Sequence, residues 1–117
     1  MARHDVFIIE LLGSGYALVD PGTLEVAAGD TIEFRNQTTN DALLLMAQNG
    51  VLDGVNSGVG VPISPASSGR PVRPFLVVGP DGTYEYQMLV TLINRRQVYA
   101  VGSSTPRIII RSTREDS

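Results

Sequence analysis

Turn-forming residues interrupt this chain so often that no long element can form. Twelve glycines and seven prolines are spread along 117 residues, and the runs between them are short and rich in Val, Ile, Thr, Tyr and Leu. Glycine supplies positive φ without steric cost, and proline fixes φ and removes a donor, so each cluster ends the element before it. Short β-rich runs between such breaks read as strands joined by turns. No run of ten residues or more carries the 3.6-residue apolar spacing of an amphipathic helix. A chain of this length suits one domain, residues 1–117.

Asp5 to Leu12 reads as the first strand. Both its faces are apolar, Val6 and Ile8 on one and Phe7, Ile9 and Leu11 on the other, which predicts cover on both sides. Tyr16 to Val19 is a second strand, stopped by Asp20-Pro21-Gly22. Thr23 to Ala28 and Thr31 to Asn36 alternate apolar with polar residues, so each has one buried and one wet face. Ala42 to Ala47 follows, and its shortness favours strand over helix. Residues 48–71 hold seven glycines or prolines before Pro71 and predict a long surface excursion with one or two short strands. Val72 to Val78 is strand-like, with Pro74 marking an edge or a bulge. Thr83 to Ile93 is long, with Tyr84, Tyr86 and Met88 sharing a face; Gln97 to Val101 is its hairpin partner, and Arg107 to Thr113 closes the domain with Ile108 and Ile110 inward. The fold class is all-β: a Greek-key β-sandwich of about eight strands.

The chain has no cysteine and one histidine, His4. Disulfides, zinc ribbons, iron–sulfur clusters, thiolate copper and cysteine nucleophiles are thereby excluded. The net charge is −3. All nine basic residues are arginine, which reads as the codon bias of a GC-rich bacterial genome. Seven of them fall after residue 69, at Arg70, Arg73, Arg95, Arg96, Arg107, Arg111 and Arg114. A basic second half can meet an acidic partner or can be an ordinary solvated surface. The apolar run at residues 6–12 is broken by Glu10 and no small-residue cleavage site follows it, so it does not read as a signal peptide. No apolar stretch approaches the roughly 20 residues that a membrane helix needs. The expectation is a cytoplasmic protein, or an exported one if a leader has been removed, with no membrane contact.

Two segments resemble the cupredoxins, the plastocyanin-type β-sandwich family. Pro21-Gly22-Thr23-Leu24-Glu25-Val26-Ala27-Ala28-Gly29-Asp30-Thr31-Ile32-Glu33-Phe34-Arg35-Asn36 resembles the family's opening, with a Gly-Asp turn and a strand ending in Phe-x-Asn. Gly79-Pro80-Asp81-Gly82-Thr83-Tyr84-Glu85-Tyr86 resembles the strand leading into the copper loop, and Arg107-Ile108-Ile109-Ile110 the last strand. The resemblance covers about half the chain in the family's order. It implies a cupredoxin-like sandwich and, in that family, a type 1 copper site built from a thiolate, two imidazoles and a weak thioether. Counted from these motifs, the cysteine position falls on Met88, the second histidine on Thr91, the axial methionine on Arg96, and the first histidine on Ala42 or, with a one-residue gap, Asp41. The resemblance thus implies a copper-free cupredoxin whose metal end is packed with apolar side chains, with Met88 filling the space. No cofactor is expected.

Met88 to Ile93 is apolar on both faces and resembles an extended ribbon more than a ligand loop. Leu89, Thr91, Ile93, Arg95, Arg96 and Tyr99 are therefore candidates for a protein interface, a second copy of the chain included. The ribbon from Met88 to Val101 and the strand from Asp5 to Leu12 would offer edges for strand pairing. Enzymatic chemistry finds little support: serines are plentiful, but His4 is the one imidazole, no Gly-x-Ser-x-Gly elbow occurs, and the acids lie scattered at turns. Two other readings stay open. One is a metal or small-ligand carrier using His4, Met46, Met88 or the acidic turns, with Ala2-Arg3-His4 able to wrap copper(II) or nickel(II) if Met1 is removed; the plainer reading of His4 is an exposed residue on a frayed terminus. The other is an arginine-mediated anion or nucleic-acid binder, against which the acidic remainder and the missing lysines count.

Overall fold

The computed structural model describes residues 2–101 and 105–111. Alternating side chains fold into ten strands: β1 Arg3–Leu11, β2 Tyr16–Asp20, β3 Thr23–Val26, β4 Thr31–Asn36, β5 Ala42–Met46, β6 Val61–Ile63, β7 Pro74–Leu76, β8 Gly82–Thr91, β9 Gln97–Tyr99 and β10 Arg107–Ile110. A single 3-10 turn spans Ala66–Ser68, and no α-helix occurs among the described residues. The strands form two facing sheets. The first has the order β2-β1-β4-β7; the second runs β3-β10-β8-β5-β6, with β9 added to β8. β1 pairs β4 in parallel and β3 pairs β10 in parallel; every other strand pair is antiparallel. The chain passes between sheets after β2 and again after β3, so each sheet holds strands distant in sequence.

The inward faces meet in one core. Ile8, Ile32, Phe34 and Phe75 come from the first sheet, and Leu44, Tyr86, Met88, Ile108 and Ile110 from the second. Phe34 lies between them, edge-on to Phe75 at 5.7 Å and to Tyr86 at 5.8 Å between ring centroids. Burying one such side chain is worth about 1.5–3 kcal/mol, and the T-shaped geometry suits the ring quadrupoles. Burial pushes the Tyr86 hydroxyl above the usual tyrosine range.

Four expectations need correction. The first strand is covered on one face only: Phe7 and Ile9 are half-buried and Leu11 is exposed, because no third layer packs outside the first sheet. Nor is β1 an edge, since β2 and β4 flank it. The 48–71 excursion is not all surface. Val51, Leu52 and Val55 are buried, held by Val78 and Gly79 N–H groups donating to the Val51 carbonyl and by a Leu52–Val77 bridge. Finally, the partner of β8 is shorter than Gln97 to Val101. Val101 leaves the second sheet and bridges Leu18 of β2, its N–H donating to Ala17 and its carbonyl accepting from Val19. That crossing ties the two sheets along one side. Pro74 opens β7, an edge strand, as a residue without a backbone donor should.

Candidate functional site

The end of the sandwich that the resemblance assigns to copper is built by β5, β8 and β9. Ala42 pairs with Val90, and the next inward pair is Leu44 with Met88. Ala42 and Met88 are thus brought to successive inward-facing rungs of one ladder, with the outward Leu43–Leu89 rung between, and both are fully buried. Thr91 is not brought to them. It lies three residues beyond Met88 in an unbroken strand, so its side chain has the opposite parity; Val90 and Leu92 are buried while Thr91 is half-exposed beside Gln97. Arg96 is exposed in the turn that follows, and its guanidinium reaches the Gly15 turn. That turn is tight. The Leu92 N–H donates to the Arg96 carbonyl at 2.7 Å, and Arg95 takes φ 74°, a conformation that costs a non-glycine residue about 1 kcal/mol.

These residues do not fit a type 1 copper ion. Ala42 has no donor atom, Thr91 faces outward, Arg96 is a cation, and the Met88 thioether is enclosed by core side chains. Asp41, the alternative first position, is exposed and borders a surface depression with Thr91, Ser64 and Arg70. Among the described residues no group of three or more His, Cys, Asp or Glu side chains could hold a metal ion.

The outer face of the same strands is different. Leu43 on β5 stands opposite Pro62 of β6 on one side and Leu89 of β8 on the other, and Leu89 stands opposite Tyr99 of β9. Four strands therefore contribute one apolar row, ending on Tyr99 at 52% exposure. Ile93, at 60%, extends it onto the turn, where its N–H donates to Glu10 Oε1 at 3.0 Å. Of the candidate interface residues, Leu89, Tyr99 and Ile93 belong to this apolar surface, Thr91 to its polar margin, and Arg95 and Arg96 to the turn at its end. Because β5 flanks β8 on one side and β10 and β9 flank it on the other, β8 offers a face here and not an edge; β9 pairs with β8 alone among the named strands.

The other candidates are dispersed. Met46 is buried in the core. His4 is neither frayed nor free. It lies in β1 with Nε2 2.9 Å from Asp30 Oδ2, and the Ala2 N–H donates to Asp30 Oδ1 at 2.9 Å, so the expected exposed terminus is instead tied down. Asp30 also accepts from the Ala27 N–H at 3.0 Å. Burial pushes its carboxyl up, but the hydrogen bonds from Ala2, Ala27 and His4 outweigh that and hold it down at about 2. Arg111 lies 3.6 Å from Glu25, Arg107 pairs opposite Glu85 in the ladder, Arg70 and Arg73 flank a cavity beside β4, and Arg114 lies outside the described residues. No continuous basic stripe results among the described residues.

Sequence reasoning missed Asn36. Buried at the end of β4, it donates through Nδ2 to the carbonyls of Asn40 and Ile63, both at 2.9 Å. Its Oδ1 accepts from the Thr38 N–H and hydroxyl at 2.9 and 2.6 Å. The signal was the terminal Asn of Phe-x-Asn, placed before a polar run.

No protein-family model and no curated protein sequence matches the chain. Solved structures do resemble it. A pseudoazurin from Sinorhizobium meliloti matches at 16% identity and TM-score 0.52, over 96% of this chain and 76% of its own. A purple cupredoxin from Nitrosopumilus maritimus matches at 15% and 0.52, over 92% and 99%. A copper(I) amicyanin mutant matches at 13% and 0.53, over 93% and 82%. At such identities the likeness concerns fold alone, and what it shows is a cupredoxin-like β-sandwich in a chain with no cysteine to bind copper.

Proposed function

We propose that this chain is a non-enzymatic, copper-free cupredoxin-like module that associates with a second copy of itself through the outer face of β5, β8 and β9. The observation that carries the reading is the row Pro62, Leu43, Leu89 and Tyr99, aligned rung by rung across four strands. The row bears no charge, and Gln87, Thr91 and Gln97 beside it on β8 and β9 are polar but neutral. Two copies related by a twofold axis can stack such a surface without like charges facing each other. The margin is mixed in sign, with Asp41 at one border and Arg95 and Arg96 at the turn, which suits a polar rim around an apolar centre. An exposed aromatic such as Tyr99, at the end of the row, is a typical anchor. A carrier using His4, Met46 and Met88 is less well supported, since His4 is engaged by Asp30 on the first sheet while both thioethers are buried.

Size-exclusion chromatography with light scattering tests the proposal. The mass should rise from 12.5 kDa towards twice that value as concentration increases. Leu89→Arg and Tyr99→Glu should each hold the protein at the lower mass with unchanged far-ultraviolet dichroism. A constant lower mass for the unaltered protein, or dimers that survive both substitutions, would remove the reading.

A further inference from the structure

We propose that a cavity beside the end of β4 binds a small organic anion, a carboxylate on an apolar body, through Arg70 and Arg73. β4 continues to Asn36, but β7 pairs with it only as far as Glu33, opposite Pro74. The chain before Pro74 diverges from the strand and leaves a cavity of about 500 Å³ between β4, β6 and residues 70–73. That volume lies within the roughly 300–1,000 Å³ of small-molecule sites.

The walls include Pro62, Ile63, Pro71 and Val72, and among the described residues no acidic side chain lines the cavity. Three arginines do. Arg35 has its charge offset, with Nη2 2.7 Å from Glu33 Oε1 and Nε 3.1 Å from Asp5 Oδ1. Arg70 and Arg73 enter no ion pair among the described residues. The Arg73 guanidinium stands 4.5 Å from the centroid of the Phe75 ring, a cation–π contact that holds the fork in place before any ligand arrives. Arg70 also borders the neighbouring depression that Asp41 lines, without pairing with it. Two arginines with no ion-pair partner among the described residues, lining a cavity with apolar walls, match a carboxylate with a hydrocarbon or aromatic remainder. A small hydrated anion would gain nothing from the walls. Pro62 is common to the cavity and the apolar row, but neither proposal depends on the other.

Benzoate, hexanoate, benzamide and inorganic phosphate are the probes, titrated while backbone amide resonances are followed. Benzoate and hexanoate should shift the amides of residues 63, 70, 72 and 73. Benzamide and phosphate should bind at least tenfold more weakly than benzoate. The paired substitution Arg70→Gln with Arg73→Gln should weaken benzoate at least tenfold, and both positions are exposed, so the fold should be kept. The proposal is overturned if benzoate leaves these amides unmoved, if benzamide or phosphate binds as well as benzoate, or if the paired variant keeps its affinity.

Discussion

His4 and Asp30, twenty-six residues apart, meet with Nε2 2.9 Å from Oδ2. The carboxylate is ionised at neutral pH and can only accept, so His4 carries its proton on Nε2. With the Ala2 and Ala27 N–H groups on the same carboxylate, Asp30 clamps the start of β1 to the turn before β4. Its carboxyl lies at about 2 in the folded chain, against an ordinary 3.8. The folded value is depressed, so the unfolded chain takes up the proton first as pH falls. The associated stability is complete above about pH 5 and is lost between about 4 and 2; it amounts to about 2 kcal/mol. Urea unfolding from pH 6 to 2.5 should show that decline. Asp30→Asn should be less stable at pH 6 and should lack most of the decline; an equal decline in the variant would exclude Asp30 as its origin.

Asn36 uses both amide hydrogens and its oxygen on partners that are buried, or half-buried in the case of Asn40. Asn36→Ala should cost about 2–4 kcal/mol, since two carbonyls and Thr38 lose their partner together. Asn36→Asp should cost at least as much at pH 7, because a carboxylate oxygen would then face the Asn40 and Ile63 carbonyls. Its deficit should shrink on acidification, when a protonated carboxyl can donate again. Chemical denaturation at pH 7 and pH 4 reads both effects, and an Asn36→Asp deficit independent of pH would contradict the bonding pattern.

Gly79 carries the contact between the 48–60 excursion and the core. A Cβ there would lie 3.0 Å from the Gly50 carbonyl oxygen, 3.1 Å from Val51 Cα and 3.2 Å from Ile110 Cδ1. Two of these atoms are backbone and cannot rotate away. Gly79→Ala should therefore destabilise by about 1–3 kcal/mol and expose amides 50–55 to faster hydrogen exchange. A neutral effect on both would show that the excursion is not clamped at this point.

Strand positions were legible wherever alternation was local. Thr31–Asn36 coincides with β4, and Ala42–Met46 and Gly82–Thr91 differ from expectation only at their ends. What local pattern could not show was contact at long separation. Val51, Leu52 and Val55 do not alternate as a strand would and sit among glycines that interrupt any helix, and their burial depends on Val77 and Gly79, over twenty residues later. His4 looked frayed because its partner is set by the parallel register of β1 on β4, where His4 stands beside Ile32. At the ligand end, the counted positions Ala42 and Met88 both lie on the inward face. The same spacing carried the reason Thr91 could not join them, since an odd offset within a strand reverses the side chain. The apolar row across β6, β5, β8 and β9 needed pairing registers, which periodicity alone does not supply.

The parity of Thr91 can be tested by restoring the ligand types. A triple variant with Ala42→His, Met88→Cys and Thr91→His supplies a thiolate and two imidazoles at the counted positions. In an unbroken β8 the imidazole at position 91 stands on the outer face beside Gln97, away from the thiolate at position 88. Histidine at fully buried Ala42 also overpacks the core, at about 1–3 kcal/mol. The variant should be less stable, and copper(II) should not produce the intense visible absorption of a thiolate-bound type 1 centre, which requires both imidazoles and the sulfur around one ion. Inserting residues between 88 and 91 to break the ladder is the condition under which such absorption should emerge. If the simple triple variant develops it, residues 88–91 turn inward as a loop, and the continuous β8–β9 face on which self-association is proposed would not exist in the folded protein.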